Sequence, residues 1–181
     1  NYIENKYDNI GVVYHDRNLG YGAALKSGFK ISKYDHIVIT DADATYPNDD
    51  IPKLLNYIKD YDMVVGARIG KNVKIPLIRK PAKWFINKLA NYLTNYKIPD
   101  LNSGLRVMKK SLIEKFLNYL PNGFSLTSTI TLALLTNSYT IKYVPIDYMT
   151  RKGKSKIKPI QDTLNFIQLI IRTVMYFNPL K

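Results

Sequence analysis

His36-Ile37-Val38-Ile39-Thr40-Asp41-Ala42-Asp43-Ala44-Thr45-Tyr46-Pro47 is the stretch that decides the reading of this chain. The branched run Ile37-Val38-Ile39 is too short for a helix and reads as a strand buried on both faces. It ends at once in Asp41 and Asp43. Open α/β sheets gather ligands at the carboxyl ends of their strands. Residues i and i+2 of an extended segment share a face, so both carboxylates are placed to address one ion. Oxygen-only ligation suits Mg²⁺ or Mn²⁺, which bind through one or two carboxylates plus substrate phosphates. A turn with two solvated carboxylates is the plain alternative.

Working outward, Gly11-Val12-Val13-Tyr14 reads as a strand and Gly20 to Ile31 as a helix with a glycine-rich entry. Asp49 to Tyr61 reads as a helix, because Asp49 and Asp50 suit its positive end and Pro52 fits only a first turn. Asp62 to Gly66 is a further buried strand. This β-α-β-α-β order predicts an α/β fold of three layers, α/β/α, around a mostly parallel sheet. Further on, Lys80 to Tyr96 reads as a long helix and Leu105 to Met108 as a strand. Ser111 to Tyr119 and Phe124 to Asn137 read as helices. Ile141 to Tyr148 reads as a strand whose Pro145 suits an edge or bulge. A last helix starts near Pro159.

The chain has 181 residues, 46% of them hydrophobic, which is enough for one domain with its own core. It has no cysteine, which excludes a disulfide scaffold and thiolate metal centres. With only His15 and His36, any metal needs oxygen ligands. Lys and Arg number 27 against 14 Asp and Glu, a net charge of +13 that points to an anionic partner. A lysine-rich background is the plain alternative. No stretch reaches the roughly 18–20 uninterrupted apolar residues of a membrane span. The chain opens on Asn1 in what reads as the middle of an element, so a piece of a longer protein is expected.

Four other stretches carry possible chemistry. Asn18-Leu19-Gly20-Tyr21-Gly22-Ala23-Ala24 turns glycines into a helix start, where backbone N–H groups favour phosphate; close helix–sheet packing is the alternative. Asp100-Leu101-Asn102-Ser103-Gly104-Leu105-Arg106 places a carboxylate, an amide and a hydroxyl in one tight loop. Arg68, Arg79, Lys83, Arg151, Lys154 and Lys156 form a basic set suited to phosphate. Residues 159–181 hold an amphipathic helix, with Ile160, Leu164, Ile167, Ile171 and Val174 at helical spacing. It could lie in a membrane interface or pack on the domain.

Taken together, these motifs resemble the family 2 glycosyltransferases, and within them the dolichol-phosphate mannose synthase-like branch. The resemblance rests on Asn18 to Ala24, Asp41-Ala42-Asp43, Val65-Gly66-Ala67-Arg68, Asn102-Ser103-Gly104-Leu105-Arg106 and Arg151-Lys152-Gly153-Lys154-Ser155-Lys156, which occur in the family's order. It implies a GT-A fold over residues 1–158 and an inverting hexosyl transfer from a GDP- or UDP-sugar to a polyprenyl phosphate. It assigns Asp41 and Asp43 to an Mg²⁺ or Mn²⁺ ion and adds Asp100 and Arg106 to the catalytic set. Substrate contacts are implied for Gly20, Gly22, Ala42, Arg68, Arg79, Lys83, Asn102, Ser103, Arg151, Lys154 and Ser155. Lys83 departs from the Arg the family carries there, and Thr45 stands where many relatives carry an amide that supports the metal. The resemblance also implies that a first βα unit, which holds the nucleotide base, precedes Asn1.

Physically the set is coherent. Negative charge builds on the departing nucleotide, and a divalent ion offsets it. A phosphate acceptor is already an anion, so it needs positioning more than a base. Net positive charge and the amphipathic tail fit work at the cytoplasmic face of an anionic membrane. A saccharide hydroxyl as acceptor is the main alternative, kept open by Asp100 as a base. Nucleotidyl transfer is another. A nucleic-acid-binding module fits the charge, but the basic residues form no helix stripe, and no nucleic-acid partner is expected.

Overall fold

The computed structural model describes residues 6–70, 80–123, 125–149 and 159–177, with backbone alone for 80–83 and 159–162. The elements in chain order are α1 (Tyr21–Ile31), β1 (His36–Ile39), a 3₁₀ turn (Asn48–Asp50) running into α2 (Ile51–Leu55), and β2 (Met63–Arg68). Then follow α3 (Lys80–Thr94), β3 (Arg106–Lys109), α4 (Lys110–Phe116), α5 (Leu126–Thr136), β4 (Ile141–Ile146) and α6 (Pro159–Phe177).

The described sheet has the order β1-β3-β2-β4. β2 and β4 pair in parallel, while β3 lies antiparallel to both β1 and β2. The sheet is therefore mixed, which corrects the expectation of a mostly parallel one. β1, β2 and β4 do share one direction. β3 breaks the pattern because the loop before it is fastened at the edge where β2 ends: Arg68 bonds Asp100, and Ser103 bonds the Gly66 carbonyl. A strand starting at that edge can only run back. Periodicity reports a strand's burial and says nothing of its direction.

Gly11 to Tyr14 differs as well. It pairs with no strand of the described sheet, and Val13 and Tyr14 stand exposed. The residue after it reaches α1, where His15 Nε2 and Ser27 Oγ share a hydrogen bond of 2.8 Å.

Alternation along the strands feeds two cores. Met63, Val65 and Met108 face one side with α1, α4 and α5, whereas Val64 and Val107 face the other with Leu54 of α2. That gives the three layers the sequence predicts. A third cluster joins Ile86 and Ala90 of α3, Leu132 and Leu135 of α5, and Ile170 and Val174 of α6.

α5 is buried along nearly its whole length despite its threonines. Its hydroxyls turn back on its own backbone: Thr131 donates to Thr127 O at 2.8 Å and Thr129 to Ser125 O at 3.0 Å. This back-bonding is how a Ser/Thr-rich helix survives inside a core. Pro145 sits on β4, the edge strand of the described sheet, where its missing N–H costs no ladder bond. No helix among the described residues is long and apolar enough to cross a membrane.

Candidate active site

The carboxyl ends of β1 and β2 and the start of β3 meet at one edge. Ile39, the last residue of β1, and Val65 of β2 both pair with Arg106, the first residue of β3. Asp41 and Asp43 leave β1 through a turn, not an extended segment, and Ala44 closes it with φ 56°. The turn fixes Asp43 from below: its Oδ1 accepts the Thr45 hydroxyl at 2.6 Å and the Thr45 amide at 3.2 Å. Thr45 is buried and spends its hydroxyl on that carboxylate, so it orients Asp43 and is no extra ligand of its own. Asp41 Oδ1 accepts the Tyr21 hydroxyl at 3.3 Å. Burial and the neighbouring Asp41 both push the Tyr21 phenol's pKa up, so it keeps its proton and donates.

Arg68 ends β2 and grips Asp100. Its Nε donates to Oδ2 at 2.7 Å, its Nη2 to Oδ1 at 2.9 Å, and its own backbone amide to Oδ2 at 3.0 Å. Asp100 is 1% exposed. Burial opposes the Arg68 charge, but the paired carboxylate outweighs it and raises the guanidinium's pKa. The guanidinium also lies over the Tyr148 ring, 5.2 Å from its centroid. Tyr148 packs edge-on against Tyr46 at 5.1 Å, and the Tyr46 hydroxyl accepts the Gly104 amide at 2.6 Å.

Several expected residues take other roles. The sequence reading makes Arg106 catalytic, but the structure leaves it 0% exposed. Its fork donates to Ser103 O at 2.7 Å, Leu101 O at 2.8 Å and the Thr131 hydroxyl at 2.5 Å. It braces the 100–104 loop from beneath and cannot touch substrate. Burial lowers its pKa. Asp100 likewise is no free catalytic base, because Arg68 holds both of its oxygens. Ser103 is fully buried and donates to Gly66 O at 2.5 Å, so it fastens the loop and contacts no substrate.

Gly20 and Gly22 are not a phosphate cradle. The N–H groups of Gly22 and Ala23 donate to Gly123 O and Asn122 O at 3.1 and 3.0 Å. A Cβ on Gly20 would meet Asn122 O at 2.6 Å, and Gly20 adopts φ 99°. These glycines admit the 121–123 loop against the helix start, which is the packing alternative.

Ala42 lies exposed between the two carboxylates, and Asn102 is half-buried with its Oδ1 accepting the Ser128 hydroxyl at 2.6 Å. Arg79, Arg151, Lys154 and Ser155 lie outside the described residues, as does the side chain of Lys83. Sequence reasoning missed Tyr21, Tyr46 and Tyr148. A tyrosine beside a motif reads as core filling, and only the fold shows where its hydroxyl or ring lands.

Asp41 and Asp43 are hard oxygen donors, each steadied by a neutral hydroxyl. That donor set fits Mg²⁺ or Mn²⁺. No group of three or more potential metal-ligating side chains occurs among the described residues, so the remaining ligands would come from substrate phosphate and water.

The model of the family described as Glycosyl transferase family 2 matches residues 1–117. The chain belongs to that family. Among curated family 2 relatives, it is 32% identical to the dolichyl-phosphate hexose transferase of Haloferax volcanii over 142 residues, covering 77% of this chain and 61% of that protein. It is 30% identical to the dolichol-phosphate mannosyltransferase of Pyrococcus furiosus, covering 86% of this chain and 45% of that one. The chain thus spans less than two thirds of either relative. A solved structure of glucosyl-3-phosphoglycerate synthase from Mycobacterium tuberculosis, with Mn²⁺, UDP and phosphoglyceric acid, superposes with a TM-score of 0.63 at 16% identity, over 87% of this chain and 54% of that one. The fold is GT-A, and its mixed sheet is the one described above.

Proposed function

We propose that this family 2 chain is the catalytic region of an inverting glycosyltransferase that moves a hexose from a GDP- or UDP-sugar to a polyprenyl phosphate. The observation that carries the reading is the Arg68–Asp100 pair. A hydroxyl acceptor must lose a proton to a base within about 2.6–3.2 Å. The buried carboxylate nearest that task is held at both oxygens by Arg68. A phosphate acceptor brings its own negative charge and needs a positioned cation instead. Arg68 offers one: Asp100 occupies Nε and Nη2, and in this reading Nη1 serves the acceptor. The family resemblance adds Lys83 and Arg151 to that side. The names of the Haloferax and Pyrococcus relatives support the acceptor class.

Asp41 and Asp43 would hold Mg²⁺ or Mn²⁺, a reading supported by the Mn²⁺ and UDP in the mycobacterial synthase. Bound there, the ion offsets the charge that builds on the leaving nucleoside diphosphate. Thr45 and Tyr21 orient the two carboxylates, and the Tyr46–Gly104 bond holds the neighbouring loop against them.

The membrane part of the reading rests on α6. Its inward face carries Ile170 and Val174, while Leu164, Ile171 and Met175 stand exposed on another side together with Arg172. A second apolar stripe beside a cation, in a chain of net charge +13, suits the interface of an anionic cytoplasmic leaflet. Flotation with anionic liposomes should capture the protein at low salt, and failure there would remove this part.

The deciding experiment incubates the protein with polyprenyl phosphate, Mn²⁺ and labelled GDP- and UDP-hexoses, with Asp43→Ala as control. Label entering an organic-extractable, acid-labile lipid in the wild type alone supports the proposal. Release of free nucleotide without labelled lipid would overturn the acceptor assignment.

A further inference from the structure

Tyr21 begins α1 from a backbone fastened on both sides. The Gly20 amide donates to Asn18 Oδ1 at 2.9 Å, and the Gly22 and Ala23 amides are bonded to the 122–123 carbonyls. The phenol therefore leaves from a fixed point, and its hydroxyl reaches Asp41 Oδ1 at 3.3 Å. Gly104 lies against the same carboxylate, so close that an added Cβ would sit 2.8 Å from Asp41 Oδ2 and 3.0 Å from Oδ1. Gly104 cannot drift away, because its amide is bonded to the Tyr46 hydroxyl at 2.6 Å. Asp41 thus meets both the Tyr21 hydroxyl and the Gly104 backbone. Asp43 has its own hydroxyl from Thr45.

We infer that Tyr21 is a positioning residue for the metal-binding carboxylate Asp41, clamping it against Gly104 so that it meets the ion in one orientation. The inference rests on the metal reading proposed above. The helix start that sequence alone offers to phosphate then serves the ion indirectly: its backbone is spent on the 121–123 loop, and its side chain steadies a ligand. Partners that orient ligating carboxylates govern metal affinity as well as geometry.

The test is a Mn²⁺ titration followed by electron paramagnetic resonance, with UDP or GDP present. It compares wild type, Tyr21→Phe, Gly104→Ala and Asp43→Asn, with thermal unfolding of each. Loss of such a partner costs about 10–100-fold in metal affinity, and for a bond this long we expect about tenfold in Tyr21→Phe, with an unchanged melting temperature. Gly104→Ala presses on the same carboxylate independently of Tyr21 and must weaken Mn²⁺ as well, which keeps the test decisive if Tyr21→Phe folds poorly. Wild-type Mn²⁺ affinity in Tyr21→Phe, with Asp43→Asn impaired, would overturn the role of Tyr21 and leave the metal site standing. Wild-type affinity in Asp43→Asn would remove the metal site and this inference with it.

Discussion

Arg68 and Asp100 form a two-pronged ion pair, Nε to Oδ2 at 2.7 Å and Nη2 to Oδ1 at 2.9 Å, that binds the end of β2 to the loop entering β3. Its geometry supports the phosphate acceptor proposed above over a hydroxyl one. A carboxylate held in this way anchors a cation and is not available to take a proton.

Asp100→Asn leaves the Arg68 cation beside a neutral amide. Breaking a buried pair costs about 3–5 kcal/mol, and the partly exposed edge of Arg68 puts this case at or below the lower figure. Urea unfolding should show the loss, and the double change Arg68→Met with Asp100→Leu should recover most of it. The acid limb of any residual transfer activity should stay where it is in the wild type, an outcome that a general-base role for Asp100 would not give.

Arg106→Met removes the donors that hold Leu101 O, Ser103 O and Thr131 in place. Each buried acceptor left unmet costs about 1–3 kcal/mol, so a loss of at least about 2 kcal/mol is expected in chemical denaturation. Transfer should collapse with the loop, and Mn²⁺ affinity should fall with it, because Gly104 would no longer back the Asp41 carboxylate.

Gly22→Ala should destabilise the fold without touching nucleotide chemistry. Its Cβ would press on the 121–123 backbone, including Gly123 O at 2.8 Å, and backbone cannot step aside as a flexible side chain can. Overpacking of this kind costs about 1–3 kcal/mol, readable as a lowered melting temperature. Should nucleotide affinity fall with stability intact, the phosphate reading of this turn would return.

Asp62 links β2 to its neighbours. Burial alone would raise its pKa, but the Lys109 ammonium and Thr140 bond its carboxylate and hold it below the ordinary range. A depressed folded pKa adds stability above the unfolded value of about 4, and that stability drains away as pH falls through the folded pKa. Asp62→Asn should therefore flatten the acid side of the stability curve and leave its slope above neutrality unchanged. An identical acid limb in both proteins would refute the assignment.

Much of this arrangement was readable from residue order. Ile37-Val38-Ile39 running into Asp41 and Asp43 located the strand and the edge of the candidate site, and Pro145 marked an edge or bulge. What residue order could not carry was pairing. β3 looks like any buried strand, and its reversed direction comes from a loop fastened by Arg68–Asp100 and Ser103–Gly66 contacts between distant parts of the chain. Arg106 misled for the same reason. An arginine beside a turn reads as solvent-facing, and only the carbonyls of Leu101 and Ser103 and the Thr131 hydroxyl explain how a cation lives at 0% exposure.

The reversed strand also acts as a ruler. Arg106 sits level with Ile39 on one side and Val65 on the other. A slip of one residue would swap the faces of β3, turning the braced guanidinium out of its socket and lifting the 100–104 loop away from Asp41 and Arg68 together. Length changes in this chain are therefore not equivalent. The turn after α3 can gain or lose residues and leave the register alone, whereas a single insertion between Asp100 and Lys109 would misalign both halves of the site at one stroke.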